Sequence, residues 1–208
     1  MKIFIAGTDT NVGKTIVSSW ICLHTGFPYI KLIQTGYKYK NTDTFMVKSL
    51  SNAFTYKENY IFKKSLSPHL SAYYENKSIK IDNIKLPDVN NLIIEGIGGL
   101  LVPINEKMLV IDLIVHFSLP VILVSKSILG TINHTLLSIE SMRLRKIKIL
   151  GVILVGPYNQ DNINSIEFYG KIEVLYSVPN FRKLSKKSLS KVLFSDRLRS
   201  LFGLFVRR

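Results

Sequence analysis

Short runs of apolar residues recur along the chain, at 3–6, 29–33, 92–94, 120–124 and 149–155, and between them the apolar positions fall at helical spacing. Runs without a polar face predict strands covered on both sides, and their alternation with helices predicts a mostly parallel α/β sheet with helices on both faces. The helices are expected over 14–25, 42–51, 67–76, 131–146 and 161–171. No internal repeat or low-complexity linker breaks the alternation. With 208 residues, of which 47% are hydrophobic, the chain is long enough for one well-buried core and short for two, so a single domain over 1–208 is expected.

In an open α/β sheet, ligands collect beyond the carboxyl ends of the strands, so the residues after each apolar run are the ones to inspect. After the first run comes "GTDTNVGKT", followed by Ile16, Val17, Trp20, Ile21 and Leu23 at helical spacing: a strand, a tight loop and a helix. Such a junction favours an anion, because glycine lets the backbone fold round an oxygen cluster, the helix N-terminus aims N–H groups at it, and Lys14 adds a full positive charge. Thr15 would offer its hydroxyl to a magnesium ion. The usual phosphate-loop pattern, Gly-x-x-x-x-Gly-Lys-[Ser/Thr], has its first glycine where this chain has Thr8; here the glycine is displaced to Gly7. The loop predicts nucleotide contacts from Thr10, Asn11, Val12, Gly13, Lys14, Thr15 and Ile16. The plain alternative is a glycine-containing turn with a solvated lysine.

The later strand ends add polar groups on the same edge. Asp43 stands at the start of the helix after the second run, and Glu95 directly follows the third, itself followed by Gly96, Gly98 and Gly99. Two carboxylates and a hydroxyl suit magnesium, which takes a few hard oxygen ligands, keeps waters and bridges to phosphates. Asp43 also has a purely structural reading as a favourable charge at a helix N-terminus. Glu95, an acid closing a buried run, has less structural reason to be there. Lys31 in "YIKLIQTG" would neutralise charge on a transferred phosphoryl group, with Thr35 and Gly36 shaping an anion-binding turn.

The formal charge of +14 is concentrated late in the chain: residues 143–208 carry +10 and residues 1–142 only +4. A basic third of this kind reads either as a solvated face or as a patch for nucleic acid or an anionic membrane. Leu184, Leu189, Val192 and Leu193 in it predict the apolar side of a terminal helix packed on the sheet. Cys22 is the single cysteine, which excludes a disulfide framework and a thiolate metal cluster. The N-terminus lacks a signal-type apolar stretch and no run reaches eighteen apolar residues, so a cytoplasmic protein is expected.

Together these motifs resemble the dethiobiotin synthase family. "GTDTNVGKT" is similar to its variant phosphate loop, "KLIQTG" to its Lys-Pro-[Val/Ile]-x-[Ser/Thr]-Gly segment, "SPH" at 67–69 to its Ser-Pro-His, "EGIGG" to its Glu-Gly-[Ala]-Gly-Gly and "LGTINH" to its Leu-Gly-x-Ile-Asn-His, in order from residue 3 to about 155. The resemblance implies a P-loop NTPase-like fold and formation of dethiobiotin from 7,8-diaminononanoate, CO2 and MgATP. It implies catalytic roles for Lys14, Lys31 and Thr35, a magnesium shell of Thr15, Asp43 and Glu95, and substrate contacts from Thr35, Gly98, Leu129 and Asn133. Asn133 would reach across a homodimer interface to a shared site, with no nucleic-acid or membrane partner. His69 and His134 are taken as structural.

Three positions depart from the family pattern: Leu32 replaces a proline, Ile97 a small residue, and Val155 an asparagine that reads adenine. Val178-Pro179-Asn180 loosely resembles the later nucleobase loop. Two other readings stand beside it, the first prompted by the basic tail and the second by these departures. One is a nucleotide switch of the partition type, acting on DNA or membrane, although the signature lysine early in the loop is missing between Thr8 and Val12. The other is a degenerate member that binds nucleotide without turnover.

Overall fold

The computed structural model describes residues 1–38 and 42–204. Six strands, β1 (Lys2–Gly7), β2 (Tyr29–Lys31), β5 (Leu92–Glu95), β6 (Val121–Lys126), β7 (Ile149–Val155) and β8 (Val174–Val178), form one sheet of order β2-β5-β1-β6-β7-β8 with every pair parallel. Two further short strands, β3 (Ile33–Gln34) and β4 (Tyr60–Ile61), pair beside it.

Alternation along each strand divides the buried residues between the two faces of the sheet. Ile3 and Ile5 of β1, with Ile93, Ile122, Val124 and Ile153, pack beneath α1 (Lys14–Thr25) and α2 (Asp43–Ser51). Phe4 and Ala6, with Ile94, Leu123, Val152 and Leu154, pack against α4 (Val110–His116), α5 (Thr131–Leu144) and α6 (Gln160–Gly170). Helix α3 (Pro68–Tyr74) adds Ala72 to that second cluster. The parallel sheet with helices on both faces is therefore the architecture that the unbroken apolar runs predict. Five expected helices lie within two residues of their observed ends.

The differences have local causes. The run at 29–33 divides at Leu32, whose carbonyl accepts from Asn59 N and Tyr60 N rather than from the main sheet, and the chain continues as β3. Strand β8 was not expected; the polar Tyr176 and Ser177 interrupt its apolar pattern at the edge of the sheet. The terminal segment forms two short helices, α7 (Lys186–Ser190) and α8 (Asp196–Leu201), instead of one. In it Leu189 and Leu198 are buried, while Leu193 is 59% exposed and Phe194 takes the inward place. Trp20 anchors the segment: its Nε1 donates to Val192 O at 2.6 Å and its ring meets Phe194 edge-on. Among the described residues, no helix is long and apolar enough to cross a membrane.

Candidate active site

The loop between β1 and α1 lies at the carboxyl edge of the sheet and closes on Gly13, whose φ of 101° favours glycine. A Cβ there would also lie 2.9 Å from both methyls of Val155, so the end of β7 packs directly under the loop. Lys14 Nζ is folded back and donates to Asp9 O at 2.8 Å and Gly98 O at 2.9 Å. This accounts for the displaced glycine: a Cβ at Gly7 would sit 2.8 Å from the Lys14 ammonium and 2.9 Å from Asp9 O. Burial, and then the charge of Lys31, lower the Lys14 pKa to about 8.

Beside the loop lies a buried group of charges. Parallel pairing sets Lys31 opposite Glu95. The Lys31 ammonium meets Asp43 Oδ2 at 2.7 Å and Glu95 Oε1 at 3.0 Å, and donates to Gly96 O at 2.7 Å. Thr15 Oγ1 stands 2.9 Å from Asp43 Oδ1 and 2.9 Å from Glu95 Oε1, able to donate to one of them at a time. Tyr29 OH donates to Glu95 Oε2 at 3.0 Å. Gln34 Oε1 accepts from Asp43 N at 3.2 Å, while its Nε2 donates to Thr35 O at 2.6 Å, so this side chain ties the start of α2 to β3.

Burial disfavours the Lys31 cation, but Glu95 and Asp43 outweigh it and raise the pKa. Burial likewise pushes Asp43 up, and the charge of Lys31 with hydrogen bonds from Lys31 and Thr15 brings it below its ordinary value. Burial, then the charges of Glu95 and Asp43, raise the Tyr29 phenol well above its usual range, so it stays a donor.

A cavity of about 800 Å³ opens over these groups. Thr10, Asn11, Gly13, Lys14, Thr15, Ile16, Lys31, Thr35, Asp43, Glu95 and Gly98 all line it, so most of the candidates converge. Val12 does not; its side chain is buried in the apolar cluster under the loop. Leu129 and Asn133 lie outside the cavity, exposed before and on α5. Val155 is buried with Val12 and Val178, so it serves the loop's support and presents little surface to a base. Leu32 packs in the core and Ile97 forms cavity wall. His69 Nδ1 lies 3.3 Å from Pro103 O, a backbone contact.

The sequence motifs gave no role to Gln34 and Ser65 in the cavity wall or to Tyr29 behind it, while Ser67 of the Ser-Pro-His motif does line the cavity. Gln34 carried a signal as a polar residue in a buried stretch, and Tyr29 carried one as the residue two before Lys31, on the same strand face. Ser65 lies in the loop before α3, whose course the apolar pattern does not give.

The convergence of Thr15 Oγ1, one Asp43 oxygen and one Glu95 oxygen is a hard-oxygen, doubly negative donor set of the kind magnesium accepts. Among the described residues no group of three or more His, Cys, Asp or Glu side chains could hold a metal, so remaining ligands would be waters and phosphate oxygens.

A family model described as an AAA domain matches residues 1–188. The ATP-dependent dethiobiotin synthetase BioD of Lawsonia intracellularis (strain PHE/MN1-00) is 50% identical over 97% of this chain and 99% of its own length. The protein of the same name from Neorickettsia sennetsu is 36% identical over 97% of this chain and 95% of its own. Among solved structures, a nucleotide-binding protein in complex with ADP from Archaeoglobus fulgidus aligns with a TM-score of 0.54 at 12% identity, covering 95% of this chain and 90% of that one. A ParA family ATPase from Chlorobium tepidum aligns with a TM-score of 0.51 at 10% identity, covering 97% and 95%. These two show the P-loop NTPase-like fold. With most of the site motifs converging on one cavity and relatives matching along nearly the whole chain, this protein belongs to the dethiobiotin synthetase family and is a ligase that forms C–N bonds.

Proposed function

We propose that this enzyme of biotin biosynthesis closes the urea ring of dethiobiotin from 7,8-diaminononanoate, CO2 and MgATP. The observation that carries the reading is the cluster of buried Lys31 and Glu95 with partly buried Asp43 and Thr15 in the wall of a cavity that the phosphate loop also lines. The relatives' names supply the product; the arrangement of charge supports the route.

One amine of the substrate attacks CO2 and loses a proton, giving a carbamate. A carbamate oxygen attacks the γ-phosphorus of ATP, the bond to ADP breaks, and a carbamic–phosphoric anhydride results. The second amine then attacks the carbonyl carbon, its proton is lost, the C–O bond breaks and phosphate leaves with the ring closed. Two anions must meet in the middle step, so the protein's task is positioning and charge neutralisation. Lys14 would turn from Asp9 O and Gly98 O toward the phosphates, and Lys31 would face the carbamate and the phosphoryl group in flight. Thr35 backs the same wall. Thr15, Asp43 and Glu95 would hold magnesium, which when bound neutralises charge on the phosphate oxygens.

Asn133 and Leu129 stand exposed and outside the cavity, which fits a contribution to a partner's site in a homodimer. The reading implies a cytoplasmic enzyme over a single domain, with no nucleic acid or membrane partner. The test is direct: the purified protein with diaminononanoate, bicarbonate and MgATP yields dethiobiotin by mass, and omission of any one component abolishes it. ATP hydrolysis without dethiobiotin would favour the switch or degenerate reading instead.

A further inference from the structure

The two oxygens of Glu95 have different neighbours. Oε1 takes the Thr15 hydroxyl at 2.9 Å and the Lys31 ammonium at 3.0 Å, both from residues in the cavity wall. Oε2 takes the hydroxyl of Tyr29 at 3.0 Å, from a residue the cavity does not reach. Tyr29 is fully buried at the start of β2, its ring in an apolar cluster with Trp20, Val47 and Ile93. Phenylalanine would fill that space equally well. The hydroxyl therefore has one evident task, which is to hold Glu95.

We propose that Tyr29 is a positioning residue for the divalent cation: by occupying Oε2 it locks the Glu95 carboxylate so that Oε1 alone is offered to the metal, beside Thr15 and Asp43. This rests on the reading of Glu95 as a cation ligand. The terminal torsion of a glutamate is broad and soft, so an unheld carboxylate rotates and can present both oxygens. Magnesium demands near-octahedral geometry, which a bidentate carboxylate with its narrow bite distorts, whereas the larger calcium accepts bidentate carboxylates readily. A hydrogen bond that reserves one oxygen thus orients the ligand and favours the smaller ion. Donors behind a metal ligand commonly matter by about 10–100-fold in metal affinity.

The experiment is calorimetric titration of ADP into the natural protein and Tyr29→Phe, each with no metal, with Mg2+ and with Ca2+, with Glu95→Gln measured alongside. The expected result for Tyr29→Phe is unchanged metal-free ADP affinity, a loss of about 10-fold in the enhancement by Mg2+, and a smaller loss with Ca2+, so that the preference for Mg2+ falls. Replacing Tyr29 by para-aminophenylalanine, which keeps a donor at the same place, should recover the preference. Unchanged enhancement in Tyr29→Phe while Glu95→Gln loses it would overturn the role of Tyr29 alone. Equal losses in all three conditions would mark Tyr29 as structural and overturn it too. Enhancement intact in Glu95→Gln would remove Glu95 as a cation ligand and take the proposal with it.

Discussion

The Lys31 ammonium stands 2.7 Å from the Asp43 carboxylate, joining the last residue of β2 to the first residue of α2. Glu95 completes a buried arrangement in which one cation faces two acids. Removing Lys31 leaves the buried Glu95 carboxylate and the partly exposed Asp43 carboxylate as like charges facing each other. Lys31→Ala should lower turnover by at least about 100-fold, because the charge it neutralises grows during phosphoryl transfer. It should also lower stability by about 3–5 kcal/mol in chelator, the usual cost of unpairing buried charges. Added Mg2+ should recover part of the stability and little of the turnover. Glu95→Ala should lose turnover to the same degree. Thermal unfolding with and without Mg2+, beside steady-state rates, checks both; a Lys31→Ala protein with near-normal turnover would remove Lys31 from the mechanism.

Lys14 gives a pH prediction. Its pKa in the free protein is lowered to about 8, and phosphate oxygens would raise it again when nucleotide binds. Binding therefore takes up a proton at and above that pH, and ADP affinity should fall as pH rises past it. The nucleotide-free fold carries the opposite slope. The folded pKa lies below the unfolded one, so the folded state binds fewer protons between about 8 and 10.5 and this group's contribution to stability rises across that window. Calorimetry at pH 8.5 in buffers of different ionisation enthalpy should show net proton uptake in the natural protein and less in Lys14→Met.

A shared site predicts complementation. Mixing inactive Lys31→Ala with inactive Asn133→Ala should restore activity under conditions of proven subunit exchange, since a mixed dimer carries one intact site. Sedimentation as a monomer, or mixtures with no recovery, would overturn the shared site.

The basic end of the chain should divide into a dispensable surface and an indispensable interior. Lys186, Lys187 and Lys191 are exposed, and replacing all three with glutamine should leave turnover unchanged. Leu198 is fully buried, and Leu198→Ala should cost about 2–5 kcal/mol. A several-fold loss of turnover in the triple variant at physiological salt would indicate charge steering of substrate.

Base selectivity should be weak. Val155 has no hydrogen-bonding group and is buried against the loop. Without a side-chain amide there, discrimination worth about 1–3 kcal/mol is lost, so kcat/KM for ATP, CTP and GTP should agree within about one to two powers of ten. A preference for ATP beyond that range would place base reading elsewhere, with Asn180 after β8 the first residue to replace.

The fold was legible where burial is two-sided. The runs ending at Ala6, Ile94 and Val155 are apolar throughout because helices cover both faces, whereas a strand with one wet face would alternate. Legibility failed at β8, where an edge strand tolerates Tyr176 and Ser177, and at α7 and α8, where single turns bury only alternate leucines. In the candidate site, the convergence of Lys14, Thr15, Lys31, Asp43 and Glu95 on one cavity was legible because each is a polar residue at a strand end or helix start. Tyr29 lies behind them, and Gln34 stands in the cavity wall beside them. Their roles depend on which neighbour the fold brings to 3.0 Å and 3.2 Å, and sequence spacing alone does not contain that.

The most direct measurement follows oxygen. Under single-turnover conditions, with heavy-oxygen-labelled bicarbonate in unlabelled water and rapid quenching, the proposed route predicts dethiobiotin together with phosphate that carries one labelled oxygen per ring closed, since the carbamate oxygen that attacks phosphorus leaves with it. Unlabelled phosphate, or labelled bicarbonate left untouched while ATP is hydrolysed, would contradict it.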